Sequence, residues 1–491
     1  MTYDDKHTMI KQLWAIKSTD QLNSDDETLE LNRTLGPWTL TALGIGAVIG
    51  GGIFVVTGQA AALHAGPSIV LSFIIAAICC SFCALAYAEF SGLVPTSGSA
   101  YSYTYATFGE LAAWFIGWML VLEYGVSASA VAVSWGGYFM SLLHHLHLDL
   151  PSVLTNAPLD NHLHWTGALI NLPAAGIIVV LIVPCYIGIH QSSFINNLMV
   201  IIKIALISLV ILVGIHYINP GNWHPFIPKP TGPGQYGWGG ILRGASMIFF
   251  AYIGFEAISV AAQESKSPQR DLPMSMLASL GICTVLYVAM AAVLTGLVPY
   301  GQLQTDEPVI TAIAAHPELG WLRSIVEIGA MVALASVILV MLISQPRIFL
   351  IMARDGLLPT CMKRLHPTYR TPHINTLITG MSIAVLAAIF PLDVISDLTS
   401  MGTLISFATV CAGVLVLRLK QPQLPRSFRV PAVWLVCLAG LTSCLVLLAS
   451  MTAMNWLLMI IWTLGGLLFY FVYGFRHSLQ RLSLSSSKIS Q

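Results

Sequence analysis

Apolar stretches of membrane-crossing length alternate with short polar connections from about residue 38 to about residue 474. A helix needs roughly 20 apolar residues to cross the hydrocarbon of a bilayer. On that measure the pattern predicts twelve spans, at approximately 38–63, 69–94, 112–143, 172–189, 194–216, 240–265, 273–299, 322–352, 374–391, 394–418, 430–450 and 453–474. Only the turn from Gly188 to Ser193 divides the fourth span from the fifth, and only Pro391-Leu392-Asp393 divides the ninth from the tenth. The leading tail is polar and mixed in charge, so it reads as neither a signal peptide nor a span. The expected organisation is an all-α integral membrane protein: a tail over 1–36, ten spans within 37–418, two more within 419–474 and a closing tail over 475–491.

The helical pattern fails in two places. Between Leu43 and Ala62 the apolar run is punctuated by Gly44, Gly46, Gly50, Gly51, Gly52 and Gly58. Each glycine costs about 1 kcal/mol of helix relative to alanine, and three in succession leave the backbone unshielded, so the chain is expected to unwind near Ile49 to Ile53. Unwound backbone at bilayer depth survives only where it is buried in protein or lines a polar cavity. A second half-helix starting near Ile53 and Phe54 would present unpaired N–H groups at the positive end of its dipole, which suits a carboxylate. Carbonyls freed near Val48 suit an ammonium group. A glycine-rich helix packed tightly on a neighbour is the competing reading. The second failure lies in span 6, where Gly254 and Glu256 follow Phe249-Phe250-Ala251-Tyr252-Ile253 in mid-membrane. Five spans separate the two suspect helices, so spans 1–5 and 6–10 would each open with a broken helix. That is the 5+5 inverted-repeat plan of secondary transporters, with the substrate site between the breaks and spans 11 and 12 as two extra helices.

Composition removes other classes. With 56% hydrophobic and 9% charged residues and a mean hydropathy of +0.78, the chain has too few charges to clothe a soluble globule. Its 22 basic and 22 acidic residues cancel, and nucleic acid is not an expected partner. Eighteen of the 22 basic residues fall in the two tails and the connections after spans 6, 8 and 10, which places both termini in the cytoplasm. The nine cysteines suggest no disulfide framework. Cys80-x-x-Cys83 lacks a second Cys or His pair, so no metal is expected. Five histidines between His144 and Thr166 (His144, His145, His147, His162 and His164) read as a solvated loop. Tyr101, Tyr103 and Tyr105 read as a short interfacial helix with its rings at headgroup depth, and Glu307 to Ile313 as a helical cap on the outer vestibule.

Ionisable groups within spans are costly, at about 2.5–3.5 kcal/mol each at a helix centre. Four stand out: Glu123, Lys203, Glu256 and Glu327. Lys203 has no charged neighbour in its span, so it must find a partner or shed its proton. It could tie substrate binding to a proton gradient, or act as a fixed ammonium on the carbonyl end of span 1. Glu123 could counter Lys203, relay a proton or hydrogen-bond the broken segment. Glu256 is placed to accept N–H groups freed at the second break, while Glu327 could reach water at the outer end of span 8. No nucleophilic triad or nucleotide-binding fingerprint is present, so neither an enzyme nor a cofactor is expected.

Several motifs carry a resemblance. Gly44-Ile45-Gly46-Ala47-Val48-Ile49-Gly50-Gly51-Gly52-Ile53-Phe54 resembles the first-span signature of the amino acid-polyamine-organocation superfamily. Tyr87-Ala88-Glu89-Phe90 with Pro95 to Tyr101, and Phe255-Glu256 through Gln263 to Pro273, are similar to two further signatures. Ser344-Gln345-Pro346-Arg347 with Met352 to Pro359 points to the cationic amino acid transporter branch and its bacterial relatives. The resemblance implies a permease for L-amino acids that works by alternating access and is coupled to protons. It places the substrate among Val48, Ile49, Gly50, Gly51, Gly52, Phe250, Ile253 and Gly254, with amides of Gly51 and Gly52 on its carboxylate. Carbonyls of Val48, Phe250 and Ile253 would take its ammonium, and the Phe250 ring would be a gate. Lys203 and Glu123 match the family's coupling positions. Gly51 departs from the Ser or Thr of many relatives. The region from His144 to Asn171 holds no Cys for a disulfide-linked heavy chain, so none is expected, and the chain would act in the cell membrane as a monomer or weak oligomer. Cationic or neutral substrate, symport or amine exchange, and a non-translocating receptor all remain open at this point.

Overall fold

A computed structural model describes residues 14–17, 35–96, 98–148, 150–161, 164–188, 193–262 and 265–481. Most of the leading tail, the turn 189–192, His162, Gln263, Glu264 and the last ten residues of the closing tail lie outside the described residues.

Regular structure among the described residues is helical, apart from three isolated β-bridges. The principal helices are α1 (Pro37–Val48), α2 (Ile69–Leu93), α3 (Ala100–Thr107), α4 (Glu110–Leu120), α5 (Ser127–His145), α6 (Leu172–Ile187), α7 (Ser193–Gly214) and α8 (Gly237–Ile248). They continue with α9 (Pro268–Leu297), α10 (Pro308–Ala314), α11 (Gly320–Arg354), α12 (His373–Ile389), α13 (Leu392–Lys420), α14 (Val433–Ala449) and α15 (Ala453–Phe469). Eight helical runs are long and apolar enough to cross a membrane, and α1, α6, α12 and α14 are shorter apolar helices. One of the eight, Gly52–Leu93, counts 42 residues. At 1.5 Å per residue it would reach about 63 Å, twice the hydrocarbon thickness. It folds back instead at Gly66, whose φ of +61° a side chain would resist, followed by Pro67.

Helix α9 lies along both α2 and α1, α11 packs on α5, and α12 on α6, while α14 rests on α13 and α2. Large apolar side chains such as Val285, Leu212 and Leu468 point outward, as they do in a protein solvated by lipid. The interior holds the polar groups instead. Glu89 is a hub: Arg418 meets it with two hydrogen bonds of 2.8 and 2.7 Å, Arg426 lies 3.0 Å away and the Val430 amide donates at 2.8 Å. Asp397 accepts from Arg243 at 2.6 Å and from Asn455 at 2.7 Å, tying α8, α13 and α15 together. Trp14–Lys17 and Leu479–Gln480 meet on one face: Lys17 pairs with Asp355 at 2.8 Å, and the Leu479 amide donates to the Asp355 carbonyl. Both ends of the described chain therefore lie on the same side.

Two expectations are corrected. The tyrosines of α3 are enclosed in protein rather than turned to lipid headgroups: Tyr101, Tyr103 and Tyr105 are at most 1% exposed, with Tyr101 donating to Asp355 and Tyr105 to Glu110. Alternate positions on a helix point to different sides, so burying all three requires neighbours all round. Glu327 does not reach water. It is fully buried and accepts from Ser141 and Arg323 at 2.9 Å each, with His145 Nδ1 at 3.2 Å. Cys80 and Cys83 are buried, as expected of small core residues, and Cys79 and Cys83, one turn apart, face Cys444 of α14.

Candidate substrate site

Helix α1 runs through Gly44 and Gly46 and stops just short of Gly50-Gly51-Gly52. Ile49 turns extended (φ −73°, ψ 96°), and the chain re-enters a helical conformation only at Gly51 and Gly52, through a wide π turn over Gly52–Val56. The second interruption follows Phe249–Tyr252: Ile253 is extended (φ −62°, ψ 134°), Gly254 has φ +124°, and helix resumes at Ala257–Val260. A side chain at Gly254 would be strained by that φ and would also meet the Ala47 backbone at 2.7 Å. Gly52 is as tightly held, since a Cβ there would stand 2.3 Å from both Cα and Cβ of Ala251. The breaks thus press against each other, the first glycine of one half-helix on the 3-10 turn of the other.

Freed peptide groups find side-chain partners. Lys203 Nζ on α7 donates to the carbonyls of Gly46 at 2.6 Å and Ile49 at 2.9 Å, closing the carbonyl end of α1. Tyr287 on α9 donates to the Val48 carbonyl at 2.8 Å, and Tyr138 on α5 to that of Phe54 at 2.8 Å. A carbonyl oxygen has two lone pairs, so Val48 keeps one acceptor position. Glu256 curls back on its own break, and both of its carboxylate oxygens accept the Gly254 amide, at 3.0 and 2.9 Å. Amides in the first turn after the first break have no partner within their helix, and they point from the N-terminal end of its dipole.

The eight residues expected around a substrate come together here, all buried, with Phe250 at 4% and Ile253 at 3% exposure. Around them stand residues for which the sequence offers no signal. Val337 of α11 lies against Gly50; Ser134 Oγ of α5 sits 2.8 Å from where a Gly51 Cβ would be, with the Phe250 ring beyond it. Ser134 thereby puts a hydroxyl beside the amide whose own residue lacks one. Tyr138 and Tyr287 were findable only as hydroxyl-bearing rings in otherwise apolar spans.

Glu123 falls in a second π segment, Val121–Val126, and is fully buried. It does not pair with Lys203. Its carboxyl stands beside that of Glu256 and near Ser406, among hydroxyls of Tyr87, Tyr103 and Tyr124 that have no partner within the described protein. On the side away from the chain ends, α10 covers the second half-helix, with Pro308 packed where Gly58 has no side chain. Glu307, just before α10, is pushed up from 4.5 to about 7, first by burial and then by Asp306 beside it.

Two facing helix interruptions buried in a bundle of membrane-crossing helices define a multi-pass membrane transporter. Residues 35–472 match the amino acid permease family, and the chain belongs to it, within the amino acid-polyamine-organocation superfamily. It is 43% identical over 448 residues to the branched-chain amino acid permease BcaP of Bacillus subtilis, covering 91% of this chain and 94% of that one. It is 42% identical over 470 residues to the methylthioribose transporter of the same organism, covering 96% and 99%. Against the vacuolar cationic amino acid transporter 2 of Arabidopsis thaliana, identity is 34% over 433 residues, covering 87% and 67%. The protein is an amino acid permease and not an enzyme.

Two outcomes follow. Overpacking costs about 1–3 kcal/mol, so Gly52→Ala should cut substrate uptake about tenfold or more. Gly176→Ala, with nothing within 4 Å of the added carbon, should transport normally. Equal uptake by the two, at equal insertion, would contradict the contact between breaks. For Glu307 the folded state holds the proton more tightly than the unfolded chain, so its share of stability is full below pH about 4.5 and is lost as pH rises to about 7. Thermal unfolding in detergent should show that decline, amounting to at most about 3 kcal/mol. Glu307→Gln should flatten it over that window, and an unchanged slope would exclude the assignment.

Proposed function

We propose that this protein is a proton-coupled permease of the cell membrane for L-amino acids with apolar side chains. It is a twelve-span carrier built on 5+5 inverted repeats, with both termini in the cytoplasm. The observation that carries the reading is the apposition of the two helix breaks, Gly52 on Ala251 and Gly254 on Ala47.

An amino acid lying across the breaks would place its carboxylate on the amides of Gly51 and Gly52, where the half-helix dipole is positive. Its ammonium would take the open lone pair of Val48 and the carbonyls of Phe250 and Ile253. Its side chain would then face Val337 and the Phe250 ring, beside Ser134. That wall is apolar and carries no carboxylate, which favours a neutral side chain over a cationic one. The relative named as a branched-chain amino acid permease supports the same choice.

Lys203 couples protons to this site. While charged, its ammonium braces the carbonyl end of α1 and holds the first break in shape; once neutral it keeps two N–H groups but loses the charge that strengthens both bonds, and α1 is held less tightly. Two carboxyl groups in contact at membrane depth cannot both carry charge cheaply, so Glu123 and Glu256 form a second station able to hold a proton. Alternating access follows as α1 and the region of the second break rock on the surrounding helices. The burial of every site residue supports an arrangement closed to both sides.

Purified protein in proteoliposomes provides the test. A pH gradient, acidic outside, should drive accumulation of leucine or valine, excess arginine should compete weakly, and Lys203→Ala should abolish the gradient dependence. Gradient-driven accumulation retained in that variant would remove lysine from the coupling, and preferred uptake of arginine would overturn the substrate class.

A further inference from the structure

Four of the nine cysteines converge inside the bundle, on helices other than those that carry the breaks. Cys79 and Cys83 lie one turn apart on α2, and Cys444 of α14 approaches them with Sγ–Sγ distances of 3.7 and 3.6 Å. Cys411 of α13 completes the group, 3.9 Å from Cys83. The sulfurs of Cys79, Cys83 and Cys444 all lie within 4.8 Å of one another, and all four residues are at most 1% exposed. Sulfur ligands held at about 2.3 Å around a tetrahedral ion stand about 3.8 Å apart. The spacing among Cys79, Cys83 and Cys444 therefore accommodates a metal ion, with three ligands already gathered from two helices.

We propose that the thiols of Cys79, Cys83 and Cys444 bind one thiophilic divalent d10 cation, zinc or cadmium, and thereby clasp α14 to α2. Charge balance selects a divalent ion. The helices around the cluster are apolar, and an uncompensated charge there is costly. A divalent ion on the thiolates of Cys79, Cys83 and Cys444 leaves one net negative charge, against two for a monovalent ion, and three protons leave as the ion enters. Ser443 donates a hydrogen bond to Cys79 Sγ at 3.2 Å, the kind of outer contact that steadies a thiolate ligand. Loading accompanies folding, before α14 closes over the other sulfurs. The ion is structural: it joins the added helices to the transport core and leaves the substrate site untouched.

The test uses the full chain carrying Cys361→Ser, which removes the exposed thiol, purified from cells grown with added zinc. Metal content by plasma mass spectrometry should be about one zinc per chain, and absorption at the zinc edge should show a shell of sulfur alone. Cys83→Ser or Cys444→Ser should lower the content at least about tenfold, whereas Cys283→Ser, a buried thiol elsewhere, should leave it unchanged. Less than about a tenth of an equivalent in the folded Cys361→Ser protein would overturn the proposal. So would a nitrogen and oxygen shell, which would place zinc on surface histidines. The absorption spectrum needs neither cluster variant to fold.

Discussion

A peptide group released from a helix inside hydrocarbon must find a partner, at a penalty of several kcal/mol if it does not. The interior of this protein is arranged around that requirement. Two helices come apart at the same depth, and neighbouring helices send in one long polar side chain for each carbonyl set free: Lys203 for Gly46 and Ile49, Tyr287 for Val48, Tyr138 for Phe54. Glu256 does the same for the Gly254 amide from within its own break. What the protein leaves unanswered is a first turn of amides and a few carbonyl lone pairs, a pattern complementary to the charged ends of an amino acid.

Holding the breaks together is a matter of atomic size. Gly52 on Ala251 and Gly254 on Ala47 bring backbone onto backbone, and no larger residue fits either position. Contact this close makes the site rigid at its centre, while Lys203 and Glu256 hold the peptide groups on either side of it. The same economy appears at the periphery, where Glu89 and Asp397 gather arginines and amides so that these two buried carboxylates are met. Charged groups are gathered within an otherwise apolar core while large apolar side chains cover the exterior, the reverse of a soluble protein's surface.

Much of this was legible in the sequence because glycine and charge are expensive in a membrane helix. The run Gly50-Gly51-Gly52 located the first break, Gly254 with Glu256 located the second, and Lys203 announced itself as the single charge in its span. Other features depend on tertiary approach, which spacing along one chain does not encode. The alternating tyrosines of α3 resembled an interfacial anchor, yet helices close over them on every side. Glu327 looked near enough to water, but Arg323 one turn earlier and His145 from another helix enclose it. Ser134 and Val337 reach the site from α5 and α11 with nothing local to mark them, and the thiol cluster needed α14 to bring Cys444 to Cys79 and Cys83.

The central claim is that peptide groups bared at the two breaks are the seat of the substrate. A structure determined with a bound amino acid such as leucine tests it most directly. The account predicts the carboxylate within about 3 Å of the amides of Gly51 and Gly52, with the ammonium on carbonyls of the facing break. Density for the amino acid elsewhere in the bundle, with those amides paired to protein, would contradict it.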